Sequence, residues 1–367
     1  MDFSNKKILV VGLGKSGLSA SRWLAGAGAS VTVSEFREKE VFDQELLREI
    51  SQRGIRLETG GHKRESFLGA DMIVLSPGVP LDIPPLRLSK EKGIPILGEM
   101  GLAAGLMDIP IVAVTGTNGK STVTTLIGAL LENAGFSTFV GGNIGTPLMD
   151  YLSEGRRADY AVLEVSSFQL DTMEDFCPDV ALILNISPDH LDRYPGYGAY
   201  VESKLKIFKN QGRGQVAIVN DDDEELARLV PGGDVSLLRY GLRKREHRQA
   251  FIDGGNLTAF LPGGEGIEID IAGVKLRGEH NMGNLMGGVL AGLSLGLKRE
   301  DIIDTIETFR GLPHRLEYVK SIRGVDFFND SKATNVDAAV KAIESFKEPV
   351  ILIAGGRHKG GDYSPLV

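Results

Sequence analysis

"AVTGTNGKST", residues 113–122, is the stretch on which the fold reading turns. The apolar run "IPIVAVTG" leads into it, and Val123, Leu126, Ile127, Leu130 and Leu131 follow at helical spacing up to Gly135. That pattern predicts a buried strand, a tight turn and a helix. The turn ends in Gly119, Lys120 and Ser121, as phosphate-binding loops do, but Val114 stands where such a loop has its first glycine. In this turn the backbone N–H groups from Gly116 through Thr117 and Asn118 to Gly119 are placed to cradle phosphates. Lys120 adds a mobile point charge, Ser121 offers a hydroxyl to magnesium, and Thr122 opens the helix behind them. Chance poorly accounts for this order at a strand-to-helix junction. The reading is a shortened loop for a nucleoside triphosphate.

A second glycine turn, "VVGLGKSGLSA" at 10–20, lies near the N-terminus. Gly12, Gly14 and Gly17 match G-x-G-x-x-G between a strand and a helix, and Glu35 closes the next strand pattern. Such a turn sets a diphosphate at a helix N-terminus and an acid near a ribose or base. Glycine serves close helix–strand packing equally well, and the pattern does not specify which nucleotide binds.

Working outward, residues 1–107 alternate strand and helix patterns: "KILVVGLG", a helix at 16–27, "SVTVSE", "ADMIVLSPG" and "IPILGE". This predicts a parallel sheet with crossover helices. A second series, 108–312, runs through "DYAVLEV", "DVALILNIS" and "QVAIVN" to short hairpin-like segments at 250–277 and a Gly- and Ala-rich helix at 281–297. The third segment, 313–367, offers "VDFFND", a helix at 336–346 and "PVILIAGG", a βαβ pattern too small for a domain of its own. The fold class expected is α/β throughout.

Composition narrows the function classes. Among 367 residues, 42% are hydrophobic and 25% charged, ordinary for a globular chain. A net charge of −8 without a basic stripe argues against nucleic acid, and "LRKREHR" at 242–248 reads as a solvated loop. The single cysteine, Cys177, excludes an internal disulfide and a cysteine-built metal cage. No apolar run approaches the roughly 20 residues of a membrane span, and "KKILVVG" begins too early for a secretory signal. A cytoplasmic enzyme or binding protein, with no membrane partner, is the expectation.

Glu164 ends "YAVLEV" and His190 follows "ALILNIS", so both should lie at the sheet edge beside the phosphate loop. Magnesium takes oxygen ligands, which makes Glu164 a natural choice and His190 a less natural one. Other residues have bland alternatives: Lys204 as a solvated helix lysine, Asn281 and Asn284 as a cap and a packing residue, Asp330 and Lys332 as turn residues.

Seven motifs nonetheless occur in one order: "GTNGKST", "GGNIGTP", "LEVSSFQL", "DHLDRYP", "GEHNMGN", "GLPHRLE" and "NDSKATN". The chain thereby resembles, over its whole length, the Mur ligases of peptidoglycan synthesis, and "LPHR" with "NDSKATN" is similar to their D-glutamate-adding branch. Folylpolyglutamate synthases share the shortened loop but typically read Gly-Lys-Gly-Ser there. The resemblance explains two phosphate turns by two nucleotides. It implies a Rossmann-like N-terminal domain (1–107) for the uridine diphosphate of the substrate, a P-loop-type ATPase domain (108–312), and the start of a Rossmann-like C-terminal ligase domain (313–367).

By matching position, the resemblance gives Ser16, Glu35 (Asp in the family), Arg37 and Gly78 to the uridine diphosphate pocket and Asn143 to the substrate near the reaction centre. It gives Asn281 and Asn284 to adenine, Arg315 and Asp330 to ATP, and Lys332, Thr334 and Lys359 to D-glutamate. It implies two magnesium ions, one served by Ser121 and Glu164, the other by Glu164, His190 and a Lys204 carbamylated by carbon dioxide. The implied substrates are ATP, UDP-N-acetylmuramoyl-L-alanine and D-glutamate, joined through an acyl phosphate by a monomeric enzyme. Family members continue for most of a further domain, so the resemblance also implies a chain that binds both nucleotides and ligates poorly. The alternatives are a nucleotide-binding protein without catalysis and a nicotinamide-dependent oxidoreductase, suggested by Gly12, Gly14, Gly17 and Glu35.

Overall fold

The computed structural model describes residues 1–366 except 156, 192, 230–231, 277, 347 and 357–361. By contact, the chain divides into two compact units. The first comprises Met1–Ile109, Gly141–Arg157 and Ser167–Phe176; the second comprises Pro110–Val140, Ala158–Ser166 and Cys177–Val367.

In the first unit β1 (Lys7–Val11), β2 (Ser30–Ser34), β3 (Arg56–Glu58), β4 (Met72–Leu75) and β5 (Ile96–Gly98) form a sheet of order β3-β2-β1-β4-β5. All its ladders are parallel. The apolar runs are buried on both faces, as crossover helices require: Ile8, Leu9, Val10 and Val11 are at most 1% exposed.

The second unit holds β6 (Ile111–Thr115), β7 (Thr138–Gly142), β8 (Tyr160–Glu164), β9 (Val180–Ile183), β10 (Val216–Asn220), β11 (Ser236–Arg243), β12 (Ala250–Asp253), β13 (Asn256–Ala259) and β14 (Ile267–Asp270). Their order is β14-β13-β12-β11-β10-β9-β6-β8-β7, with the last residues of β7 counted in the first unit. The centre is parallel, whereas β12, β13 and β14 pair antiparallel, as the Gly-punctuated stretch predicts. Helices Lys120–Asn133, Glu279–Ser294 and Arg299–Thr308 supply the rest of its core, with Leu126, Leu130, Met286, Leu290 and Ile302 fully buried.

Two expectations need correction. The predicted βαβ unit at the end is instead an antiparallel hairpin, β15 (Glu317–Ile322) with β16 (Val325–Asn329), followed by helix Val336–Glu344. "PVILIAGG" forms no strand: a strand needs a neighbour for its backbone groups, and among the described residues none pairs with it. Ile351 and Ile353 are consequently 90% and 93% exposed.

The basic cluster at 242–248 is not simply a solvated loop. Arg248 is fully buried, donating to Asp221 at 2.8 Å and Asp222 at 2.7 Å, while Arg239, Arg245 and His247 also face Asp221. The buried Asp221 carboxylate at the end of β10 draws in cations that composition alone would assign to water. No helix among the described residues is long and apolar enough to cross a membrane.

Candidate functional site

In the five-stranded sheet the winding direction reverses between β1 and β4, which opens a crevice beyond their carboxyl ends. A cavity of about 820 Å³ lies there, and Gly12, Gly14, Ser16, Glu35, Arg37 and Gly78 line it. The glycine turn is forced by crowding. Gly12 has φ +88°, and a Cβ on Gly17 would run into the Gly12 carbonyl oxygen. Asn143 is exposed after β7 and is not among the residues that line this cavity.

Glu35 is 5% exposed, and its carboxylate accepts from Leu13 N at 2.7 Å, Arg37 N at 3.0 Å and Arg37 Nε at 2.9 Å. Burial alone would raise its pKa, but these donors outweigh it and hold the carboxyl down at about 2. Phe36 and His62 also border the cavity, His62 Nδ1 lying 2.8 Å from Ser34 Oγ. Neither belongs to a spaced motif, so neither is visible in the sequence.

In the same unit, Glu99 is 2% exposed and accepts from Met149 N at 3.0 Å. Burial, reinforced by the charge of Asp150, pushes it up to about 7 against the donors it receives from.

The second site lies at the end of β6. Gly116 (φ +147°) and Gly119 (φ +87°) turn the chain, and a Cβ on Gly119 would strike the Asn284 amide. The loop is braced from behind. Thr117 N donates to Asn185 O at 2.9 Å, Asn118 N donates to Asn185 Oδ1 at 2.8 Å, and Asn185 Nδ2 returns to Asn118 O at 3.0 Å. Thr122 is buried in the first turn of helix Lys120–Asn133.

Lys120 Nζ, partly buried, donates to Gly116 O at 2.9 Å and Thr117 O at 2.8 Å. Burial lowers its pKa and Arg315 adds to this, while Glu164 and Asp189 oppose it. Ser121 Oγ donates to Glu164 Oε2 at 2.7 Å, and Glu164 is 2% exposed.

Lys204 is equally buried. Its Nζ donates to Gly116 O at 2.8 Å and sits 4.6 Å over the Tyr200 ring, so the solvated-lysine reading fails. Burial and the neighbouring Lys120 charge drive its pKa well below the usual lysine value. The balance between amine and ammonium is thereby tilted toward the free amine.

Asn281 and Asn284 are both buried, with Asn284 Nδ2 donating to Asn281 Oδ1 at 3.0 Å. Helix Glu279–Ser294 starts ahead of Asn281, which therefore does not cap it. His190 has φ +52°, and its Nε2 lies 3.7 Å from Asp189 Oδ2. Asp330 is half-buried, which raises its pKa against donation from Leu316 N at 3.1 Å and the charge of Arg315. Lys332 and Thr334 are exposed on the stretch before helix Val336–Glu344. Lys359 lies outside the described residues.

Whether this donor set suits magnesium and a nucleotide can be judged from its chemistry. Ser121 and Glu164 bring two oxygen donors together beside the turn, which suits magnesium held by few protein ligands and by phosphate. The Thr117 and Asn118 N–H groups, expected to cradle phosphates, are instead taken by Asn185. Among the described residues, no cluster of three or more His, Cys, Asp or Glu side chains is placed to hold a metal. The arrangement can bind a polyphosphate, bring cations to it, and hold a divalent ion on the serine–glutamate pair.

The family model for the Mur ligase middle domain matches residues 114–292, and that for the Mur ligase MurD-like N-terminal domain matches 6–98. The chain belongs to the Mur ligase family. More narrowly, its curated relatives include UDP-N-acetylmuramoylalanine–D-glutamate ligases. That of Geotalea uraniireducens is 42% identical over all of this chain and 80% of its own length, and that of Desulfosudis oleivorans 45% over the same shares. A pseudomurein peptide ligase type C from Methanothermus fervidus shares the fold at TM-score 0.56 and 24% identity, covering 94% of this chain and 78% of its own. UDP-N-acetylmuramate-alanine ligase from Thermotoga maritima does so at TM-score 0.55 and 22% identity, covering 93% and 77%.

Proposed function

We propose that the chain is an ATP-dependent ligase that adds D-glutamate to UDP-N-acetylmuramoyl-L-alanine in peptidoglycan precursor synthesis. The observation that carries the reading is the Ser121–Glu164 pair, 2.7 Å apart beneath a turn that also bears Lys120. The family assignment and the names of the relatives support the substrates. They leave the nicotinamide-dependent alternative without a role for the second loop.

In the reaction, the L-alanyl carboxylate attacks the γ-phosphorus of ATP and ADP leaves. The amine of D-glutamate then attacks the acyl phosphate carbonyl, loses a proton, and phosphate departs. The chain's part is electrostatic and positional. Lys120 swings from the Gly116 and Thr117 carbonyls onto the terminal phosphates. Ser121 and Glu164 would hold magnesium, which neutralises the converging phosphate oxygens. The Glu35–Arg37 pair fixes one end of the sugar nucleotide, with Ser16 and Gly78 beside it.

Carbamylation requires Lys204 as a free amine, which its lowered pKa favours: its nitrogen bonds to the carbon of CO₂ and one proton is released. With Glu164 and His190, the carbamate would serve a second magnesium ion. Asn281 and Asn284 are assigned to adenine, Arg315 and Asp330 to ATP, Asn143 to the sugar–peptide, and Lys332, Thr334 and Lys359 to D-glutamate.

The three-part division is set at 107 and 312; separate family models over 6–98 and 114–292 support its first boundary, while the contact division keeps Cys177–Val367 in one unit. A monomer acting in the cytoplasm, with consequences for cell shape and division, completes the reading.

The test is phosphate release with ATP, magnesium, UDP-N-acetylmuramoyl-L-alanine and D-glutamate, with chromatography of the product. D-glutamate-dependent release and a new amide establish the ligase. Saturable binding of both nucleotides without turnover assigns the chain to nucleotide binding alone, and binding of neither sinks the reading.

A further inference from the structure

Asn118 has its backbone pinned by Asn185, and its side chain points away from that brace to the start of helix Val336–Glu344. There its amide is read at both ends. Asn118 Nδ2 donates to Asp337 Oδ2 at 2.7 Å, and Asn118 Oδ1 accepts from Asn335 Nδ2 at 3.1 Å. The same two residues reach the segment after β9. Asp337 Oδ2 accepts from Ser187 Oγ at 3.3 Å, and Asn335 Nδ2 donates to Asp189 Oδ2 at 3.3 Å. Asp189 is followed by His190 and receives its backbone N–H at 2.9 Å. Asn335 keeps a separate duty with its oxygen, capping the helix by accepting from Ala338 N at 2.8 Å.

A plain helix cap needs only that last bond. Four further hydrogen bonds join chain segments about 150 to 220 residues apart, and they converge on one phosphate-loop side chain and the strand-end segment beside it. We propose that Asn335 and Asp337 are positioning residues of the nucleotide site: they clamp Asn118 and the 187–189 segment, so that ordering of the phosphate loop by ATP is transmitted to helix Val336–Glu344. The clamp is directional, because Asn118 must donate to one partner and accept from the other. It ties the loop that receives the triphosphate to the segment that carries Lys332 and Thr334. The proposal rests on the reading of this loop as an ATP site.

Asn335→Asp separates the two duties of that residue. Aspartate caps a helix as well as asparagine does, but it has no N–H for Asn118 and sets a second carboxylate against Asp189. Asp337→Ala removes the other half, whereas Asp337→Asn keeps an acceptor. Magnesium–ATP affinity would be measured by calorimetry, UDP affinity would serve as a control on the first unit, and hydrogen exchange would be followed over residues 336–344.

For the unaltered chain, ATP slows exchange over 336–344. Asn335→Asp and Asp337→Ala bind ATP about 10-fold more weakly and lose that slowing, with UDP affinity unchanged. Asp337→Asn stays within about 2-fold. If Asn335→Asp binds and responds as the unaltered chain does, Asn335 is only a cap and the clamp is wrong. If the unaltered chain binds UDP but not ATP, the reading of the phosphate loop fails, and the clamp with it.

Discussion

After β1, the turn at Gly12 meets an acid that is already neutralised: Glu35 is ionised, locked to Arg37 and to the Leu13 N–H. After β6, the turn at Gly116 meets two lysines folded onto its own carbonyl oxygen, Lys120 and Lys204, each with its pKa lowered by burial. The backbone geometry is alike, strand to positive-φ glycine to helix, yet the side chains prepare different chemistry. In the first turn the charges are already balanced within the protein. In the second, the lysines rest on backbone carbonyls, and under the proposed function a polyphosphate would draw them away. Glycine spacing alone does not separate a holding site from a reacting one. What separates them is whether the ionisable groups behind the turn are already paired.

The contrast can be broken most directly at Lys120. Lys120→Ala should lower ATP turnover by at least about 10²-fold while leaving UDP affinity untouched, checked by phosphate release and calorimetry. Gly17→Ala attacks the other turn through its packing: a Cβ aimed at the Gly12 carbonyl should cost about 3 kcal/mol of stability, visible in urea denaturation. If Gly17→Ala is neutral, the crowding argument fails.

Glu99 yields a pH effect of definite sign. Its folded pKa, about 7, lies above the ordinary value of 4.5, so the folded state holds the proton more tightly. Its stabilising contribution is complete below 4.5 and is lost as pH rises through about 7. Glu99→Gln should flatten that slope and stabilise the protein by about 2 kcal/mol at pH 8, measured as denaturation midpoints across pH.

Glu35 has the opposite sign. Held at about 2, it contributes stability that is present above 4.5 and lost only in acid. Glu35→Gln should weaken UDP binding by about 5-fold and leave ATP binding unchanged. Equal losses at both ligands would show that the two turns are not independent.

Much of this was legible in the sequence, for reasons that also mark where reading stops. Lys120, Ser121 and the Gly12–Gly17 turn follow from spacing, because a strand-to-helix turn fixes where neighbouring residues go. Glu164 follows from its place at a strand end. The state of Lys204 does not, because its burial is made by Tyr200 and by a carbonyl 88 residues away. Arg248 misleads for the same reason: its neighbours in sequence are basic, but its neighbours in space are Asp221 and Asp222. The run 350–356 has a strand's composition but no partner strand among the described residues. Nothing in the sequence ties Asn335 to Asn118, and only the fold brings its amide nitrogen there.

The first compact unit is written in three pieces, Met1–Ile109, Gly141–Arg157 and Ser167–Phe176, so the chain changes unit five times. Its middle piece supplies Met149 N to Glu99 and Asp150 to Ser19 Oγ, and its last piece supplies the Thr172 carbonyl to Gly98 N. During synthesis, the N-terminal sheet can therefore emerge complete in strands yet incomplete as a body until residue 176 has cleared the ribosome. By then the phosphate loop and its helix have already been made. The order of translation is not the order of closure: the earliest residues must wait for later ones, and the interval is a window in which a chaperone or a protease meets an unfinished half.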